Sequence, residues 1–134
     1  METSPLRKIL MNNVNQLADK IAPSLKDKLD AKGFVISTIV VISALVSILV
    51  NLIRLNQICK NTPKEALNRI RKPGLLDKIK IRKIIRAGVK DKGVKVPKGV
   101  AGDPAITLIE QAISEAASMI DENDVQTILD AIEG

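Results

Sequence analysis

The chain has 134 residues, a net charge of +6 and 46% apolar residues, with no His, Trp or Tyr, one Phe and one Cys. Those absences exclude a Ser/His/Asp triad, a His-ligated metal and an intramolecular disulfide, and they leave Cys59 as a reduced thiol with no imidazole to activate it. The expectation is a non-enzyme without cofactor or metal, in which binding surfaces carry the function. Charge is divided by region: residues 1 to 33 hold six Lys/Arg against four Asp/Glu, residues 54 to 99 fifteen against three, and residues 100 to 134 none against eight.

Ser4-Pro5 pairs a capping residue with Pro at a first helical position. Leu6, Ile9, Leu10, Val14, Leu17 and Ile21 follow at helical spacing and predict an amphipathic helix of about four turns in the N-terminal flank, residues 1 to 33. Its apolar stripe has two possible seats, the lipid headgroups or a partner on one hand and the chain's own C-terminal half on the other. Pro23 is expected to end this helix, and Ser24 with Asp27 to start another that runs through Gly33 toward the membrane.

Residues 34 to 53, FVISTIVVISALVSILVNLI, carry no charge, and fourteen of them are Leu, Ile, Val or Phe. Twenty residues rising about 1.5 Å each match a hydrocarbon layer of about 30 Å. The fourteen favour insertion by roughly 4 to 8 kcal/mol, offset in part by four Ser/Thr and one Asn. The expected membrane span is carried by Phe34, Val35, Ile36, Ile39, Val40, Ile42, Leu45, Val46, Ile48, Leu49, Val50, Leu52 and Ile53. A cleaved signal peptide would lie nearer the start, and a buried core helix would need a core that the polar remainder of the chain is not expected to supply. Ser37, Ser43, Ala44, Ser47 and Asn51 fall on about one third of the helical wheel and form a candidate helix-association face, toward a second copy or another membrane protein.

Residues 54 to 102 read as a basic juxtamembrane segment and linker. Thr62, Pro63 and Glu65 combine a cap, a first-position Pro and a capping-box acid, so a short helix begins at residue 63 and Pro73-Gly74 stops it. Leu75 to Ala87 is read as a helix, despite a strand-like alternation at Lys78-Ile79-Lys80-Ile81-Arg82, with Gly88 as its stop. The basic residues Arg54, Lys60, Lys64, Arg69, Arg71, Lys72, Lys78, Lys80, Arg82, Lys83 and Arg86 are candidate contacts to an anionic surface. Lipid headgroups are favoured for those nearest the span, at about 1 kcal/mol per charge. Nucleic-acid phosphates are the weaker alternative, because the segment has no aromatic residue on which bases could stack.

Residues 103 to 134 are expected to form an acidic helical hairpin. Asp103-Pro104 starts one helix with Ile106, Ile109, Ile113, Ala116, Ala117 and Ile120 on one stripe, and Asn123 or Asp124 caps a second with Val125, Ile128, Leu129 and Ile132. The stretch from Asp121 is not a calcium loop, because Gln126 and Ile132 stand where such a loop needs Gly and Glu. The two helices need a third apolar surface, for which Leu76, Ile79 and Ile84 offer an edge whose Lys and Arg would meet Glu110, Glu115 and Asp121.

An all-α protein with one transmembrane helix, an N-terminal amphipathic helix and a set of short C-terminal helices is therefore expected. The layout of short N-terminal helix, span FVISTIVVISALVSILVNLI, basic stretch RKPGLLDKIKIRKIIRAGVK and acidic tail resembles that of the small structural membrane proteins of tailless icosahedral bacteriophages with an internal membrane, such as the marine corticovirus. The resemblance implies a virion membrane protein that ties bilayer to capsid without catalytic residues. Two other readings stay open, a holin-like phage lysis protein and a membrane tether for nucleic acid. The basic C-terminal flank places that side in the cytoplasm, with the span in a virion membrane or a host inner membrane.

Overall fold

The computed structural model describes the backbone of residues 5–133 and the side chains of residues 16–130. Among these residues the chain forms six α-helices, one 3-10 turn and no strand. They are α1 (Pro5–Ala31), α2 (Thr38–Ile58), α3 (Pro63–Arg71), α4 (Leu75–Asp91), the turn Gly99–Gly102, α5 (Asp103–Ser118) and α6 (Glu122–Glu133). The expected all-α class is the one adopted. Ser4, the side chains of Leu6, Ile9, Leu10 and Val14, and that of Ile132 lie outside the described residues.

The first two helices differ from expectation at their ends. Pro23 lies inside α1 and does not end it. Its missing N–H orphans the carbonyl of Asp19, but Pro23 and Asp19 are both on the solvent side of the helix, where water can take that bond. Ser24 and Asp27 are consequently interior to α1 and start no new helix. Gly33 is the true stop: it adopts φ +88°, its N–H bonds to the Asp30 carbonyl at 3.0 Å, and the Phe34 N–H reaches back to Leu29 at 2.9 Å. The chain is therefore not helical through Gly33. Phe34 to Ser37 form a connection, and Ser37 caps α2 by accepting the Val40 N–H at 3.3 Å. The apolar helix thus starts at Thr38, four residues into the expected span, and runs past Ile53 and Arg54 to Ile58.

A core does surround this helix, against expectation. α2 packs on α1, α3, α4, α5 and α6. Leu25 and Leu29 of α1, Ile81, Ile85 and Val89 of α4, Ile106, Ile109 and Ile113 of α5, and Val125 and Ile128 of α6 are buried in one cluster with Leu45, Ile48, Leu49, Leu52 and Ile53. Of the two seats open to the N-terminal helix, its described part takes the one on the chain's own C-terminal half: Ala18, Ile21, Ala22, Leu25 and Leu29 are buried, and α1 packs on α5 and α6. Among the described residues, the apolar side chains at i, i+3, i+4 spacing on the amphipathic helices α1, α4, α5 and α6 are the ones that reach this core, whereas Leu75, Leu76 and Ile79 at the start of α4 do not.

Gly88 does not stop α4, which continues to Asp91. It is buried where α4 crosses α2, and a Cβ there would lie 2.6 Å from Ile48 Cγ1. The glycine therefore serves close approach of two helices, not termination. Gly93, at φ +76°, closes α4 instead. The buried stripe of α4 is Ile81, Ile85 and Val89, with Ile84 half-buried, whereas Leu76 and Ile79 point outward; the expected edge of Leu76, Ile79 and Ile84 is thus rotated. Gly88→Val should destabilise the bundle by about 1 to 3 kcal/mol although helix propensity favours it, and the same change should cost less in an Ile48→Ala background. Urea unfolding of the four proteins measures this coupling, and its absence would mean that the helices do not cross at Gly88.

Candidate membrane-contact surfaces

α2 combines 21 residues and a mean hydropathy of 2.3 over its most apolar 18, of which 44% are buried inside the bundle. Among the expected span residues, Leu45, Val46, Ile48, Leu49, Leu52 and Ile53 are buried, while Phe34, Ile36, Val40, Ile42 and Val50 are half-buried. Val35 is 86% exposed and Ile39 80%. Ile39, Ile42, Val46 and Val50 line an open groove along α2, edged by Asp19 of α1 and by Lys92 just past α4.

The expected association face is divided. Ser43, Ser47 and Asn51 do lie together, in this same groove. Ser37 instead spends its hydroxyl on the α2 cap, and Ala44 turns inward against Leu25, Leu29, Val89 and Ile109. A 100° step per residue places Ala44 within about 20° of Ser37 and Asn51 on a wheel, yet Ala44 is buried and the other two are exposed. At its other end α2 buries Asn56, whose amide donates to the Leu52 carbonyl at 2.9 Å and accepts from Asn61 Nδ2 at 2.8 Å, so the helix closes without an unsatisfied polar group.

The basic residues fall into two sets. Arg71 is half-buried and donates to the carbonyls of Ala117 (2.7 Å) and Ile120, while its own carbonyl accepts from Ser114 Oγ at 2.9 Å. It thereby satisfies the open C-terminal end of α5 and binds α3 to it. Arg82 bridges Asp103 at 3.2 Å and Glu110 at 3.3 Å, and Arg86 meets Asp103 at 3.2 Å and the carbonyls of Pro97 and Gly99. Arg69 pairs with Asp77 at 3.3 Å. These four arginines are engaged within the fold. Arg54, Lys60, Lys64, Lys72, Lys78, Lys80 and Lys83 are exposed.

The acidic partners also sort differently from expectation. Glu110 meets α4 as expected, but Asp103 is the second partner; it lies within the first turn of α5, after Gly102, and its carboxylate goes to the arginines. Asp121 and Asp124 cap α6 reciprocally, each accepting the other's backbone N–H at 2.9 and 3.0 Å, so the cap is neither Asn123 nor Asp124 alone. Glu115 is exposed. The role of Arg71 left no local signal, because its target is a helix end more than 40 residues away. Gly88 could have been found from the i, i+4, i+8 stripe of Ile81, Ile85 and Val89 that runs past it.

Comparison with known protein families, with curated proteins and with solved structures finds no match to this chain. The electrostatic contacts predict an order of effects. Arg71→Ala should cost about 1.5 to 3 kcal/mol, since it removes charge-assisted bonds to otherwise open carbonyls. Lys72→Ala should cost under about 0.5 kcal/mol. Urea midpoints of the two variants test this, and equal midpoints would remove Arg71 from the join between α3 and α5.

Proposed function

We propose that the protein is a structural membrane protein that works by binding and not by catalysis, with α2 as its membrane element. The observation that carries this reading is the helix itself, 21 residues long with a mean hydropathy of 2.3 over its most apolar 18, and with Ile39, Ile42, Val46 and Val50 along a groove left open among the described residues. Its length at about 1.5 Å per residue matches a hydrocarbon layer of about 30 Å.

Spanning and the packed bundle are alternative placements of α2. α4 crosses α2 at Ile48, in the middle of the helix, and carries Arg82, Lys83, Arg86 and Lys90 around that crossing. At about 2.5 to 3.5 kcal/mol for each charge at a bilayer centre, α4 does not follow α2 into lipid. Insertion therefore needs α2 to leave α4, while Arg71, Arg82 and Arg86 keep α3, α4 and α5 together at the surface. In the form implied by the layout resemblance, the bilayer is that of a virion and the α3–α6 unit meets its protein shell, on the cytoplasmic side during assembly. A second reading, α2 as the permanent core helix of a bundle in water, is favoured by the nine α2 residues that are buried.

Ser47→Arg separates the two. Residue 47 is half-buried beside the open groove near the middle of α2, so an arginine there can reach water in the bundle but meets the centre of a bilayer. Wild-type protein should stay with membranes through alkaline carbonate, and Ser47→Arg should lower its insertion equilibrium about a hundredfold and so raise the fraction extracted, while remaining folded. Wild-type protein washed off by carbonate would establish the core-helix reading. The exposed thiol of Cys59 reports orientation: a membrane-impermeant reagent should leave it unlabelled in intact cells, and labelling from outside would invert the topology.

A further inference from the structure

α4 has two apolar faces. Ile81, Ile85, Gly88 and Val89 form the buried one. Leu75, Leu76 and Ile79 form the other, directed away from the bundle and 79%, 74% and 49% exposed. The helix is thus apolar outward over its first turn and a half and apolar inward from Ile81 onward, and only the inward side is covered by its own chain. The lysines around the second face are Lys72, Lys78, Lys80 and Lys83, all exposed. Asp77, the single acidic residue between residues 72 and 83, is half-buried and paired with Arg69 at 3.3 Å. The patch therefore presents large apolar side chains within a ring of positive charge that its neighbourhood does not neutralise.

We propose that this outward face of α4 docks on an anionic lipid bilayer, with Leu75, Leu76 and Ile79 seated at the boundary of headgroups and acyl chains and the four lysines on headgroup phosphates. The proposal rests on the membrane reading above and names the surface that meets the headgroups. A bilayer supplies both halves of what the patch requires, negative charge above and hydrocarbon directly below. The lysine stems cover apolar surface while their ammonium groups stay in the polar layer. An acidic protein surface fits less well. A second copy of this chain shows the mismatch: among the described residues, the exposed side of α5 and α6 offers Glu115, Glu122 and Asp130, with Met119 just past α5 as its one exposed large apolar side chain. Docking through this side also leaves Arg82 and Arg86 on their α5 partners, so it is compatible with α2 either packed or inserted.

The test uses full-length Cys59→Ser, Leu76→Cys protein carrying an environment-sensitive fluorophore, mixed with vesicles of phosphatidylcholine alone or containing phosphatidylglycerol. The label should shift to the blue and be quenched by brominated lipid, with an apparent affinity at least about tenfold higher on the anionic vesicles. The same label on Met119→Cys should remain in water. Lys78→Glu, Lys80→Glu and Lys83→Glu together should lower the affinity of the residue-76 signal by at least about tenfold, and added salt should do so in the labelled protein that keeps the three lysines. A label at residue 76 that stays in water while the protein floats with vesicles would overturn the docking face and leave α2 as the membrane element. Protein that floats with neither vesicle would overturn both. A blue shift indifferent to lipid charge and to the triple reversal would overturn the headgroup contact.

Discussion

Burial of the apolar surface of α2 is the constraint on which the rest of the structure depends. A helix of this hydropathy cannot stand in water alone, and each of the other five helices packs against it. A buried Leu or Ile is worth about 1.5 to 3 kcal/mol. The residues that supply this burial are spread thinly, Leu25 and Leu29 on α1, Ile81 and Ile85 on α4, Ile106, Ile109 and Ile113 on α5, and Val125 and Ile128 on α6. Each helix is amphipathic because α2 is not; it covers one sector of α2 and presents charge to the other side. The cover is incomplete along Ile39, Ile42 and Val50, and that open sector connects the packing to the proposed work at a membrane.

Polar contacts determine how the covering helices are arranged more than how strongly they are held. Arg82, Arg86, Asp103 and Glu110 are partly exposed, so each pair adds only about 0 to 1 kcal/mol. What they fix is which face of α5 meets α4. Arg71 differs, because it closes a helix end whose carbonyls have no other partner in the helix. The division of labour between arginines and lysines follows: the arginine fork suits several acceptors at once, and Arg69, Arg71, Arg82 and Arg86 are used inside the fold, while the lysines remain on its surface.

Local signals in the sequence located most helices. Thr62 caps α3 and accepts the Glu65 N–H at 3.2 Å, as the spacing of Thr62, Pro63 and Glu65 requires. The α5 stripe of Ile106, Ile109, Ile113, Ala116 and Ala117 is buried throughout. Signals whose meaning depends on tertiary position were misread. Pro23 lies inside α1 with its orphaned carbonyl on the solvent side, and Gly88 lies inside α4 where α2 comes too close for a Cβ, so neither residue ends its helix. A long apolar run satisfies the needs of a bilayer and of a core equally, because both reward the same side chains. The candidate surfaces were legible as composition, lysines and arginines in one segment, but not as geometry. Which arginines turn inward, and that Leu75, Leu76 and Ile79 turn outward, depends on the angle at which α4 crosses α2.

On the proposed reading, α2 exchanges its place against α4 for a place in lipid. The distance between spin labels at Asn51→Cys on α2 and Lys83→Cys on α4, in a Cys59→Ser background, reads that exchange without touching the core. One short, narrow distance in water should give way to a longer and broader one when the protein is bound to bilayers. An unchanged short distance in membrane-bound protein would contradict the account and leave α2 as a core helix in both settings.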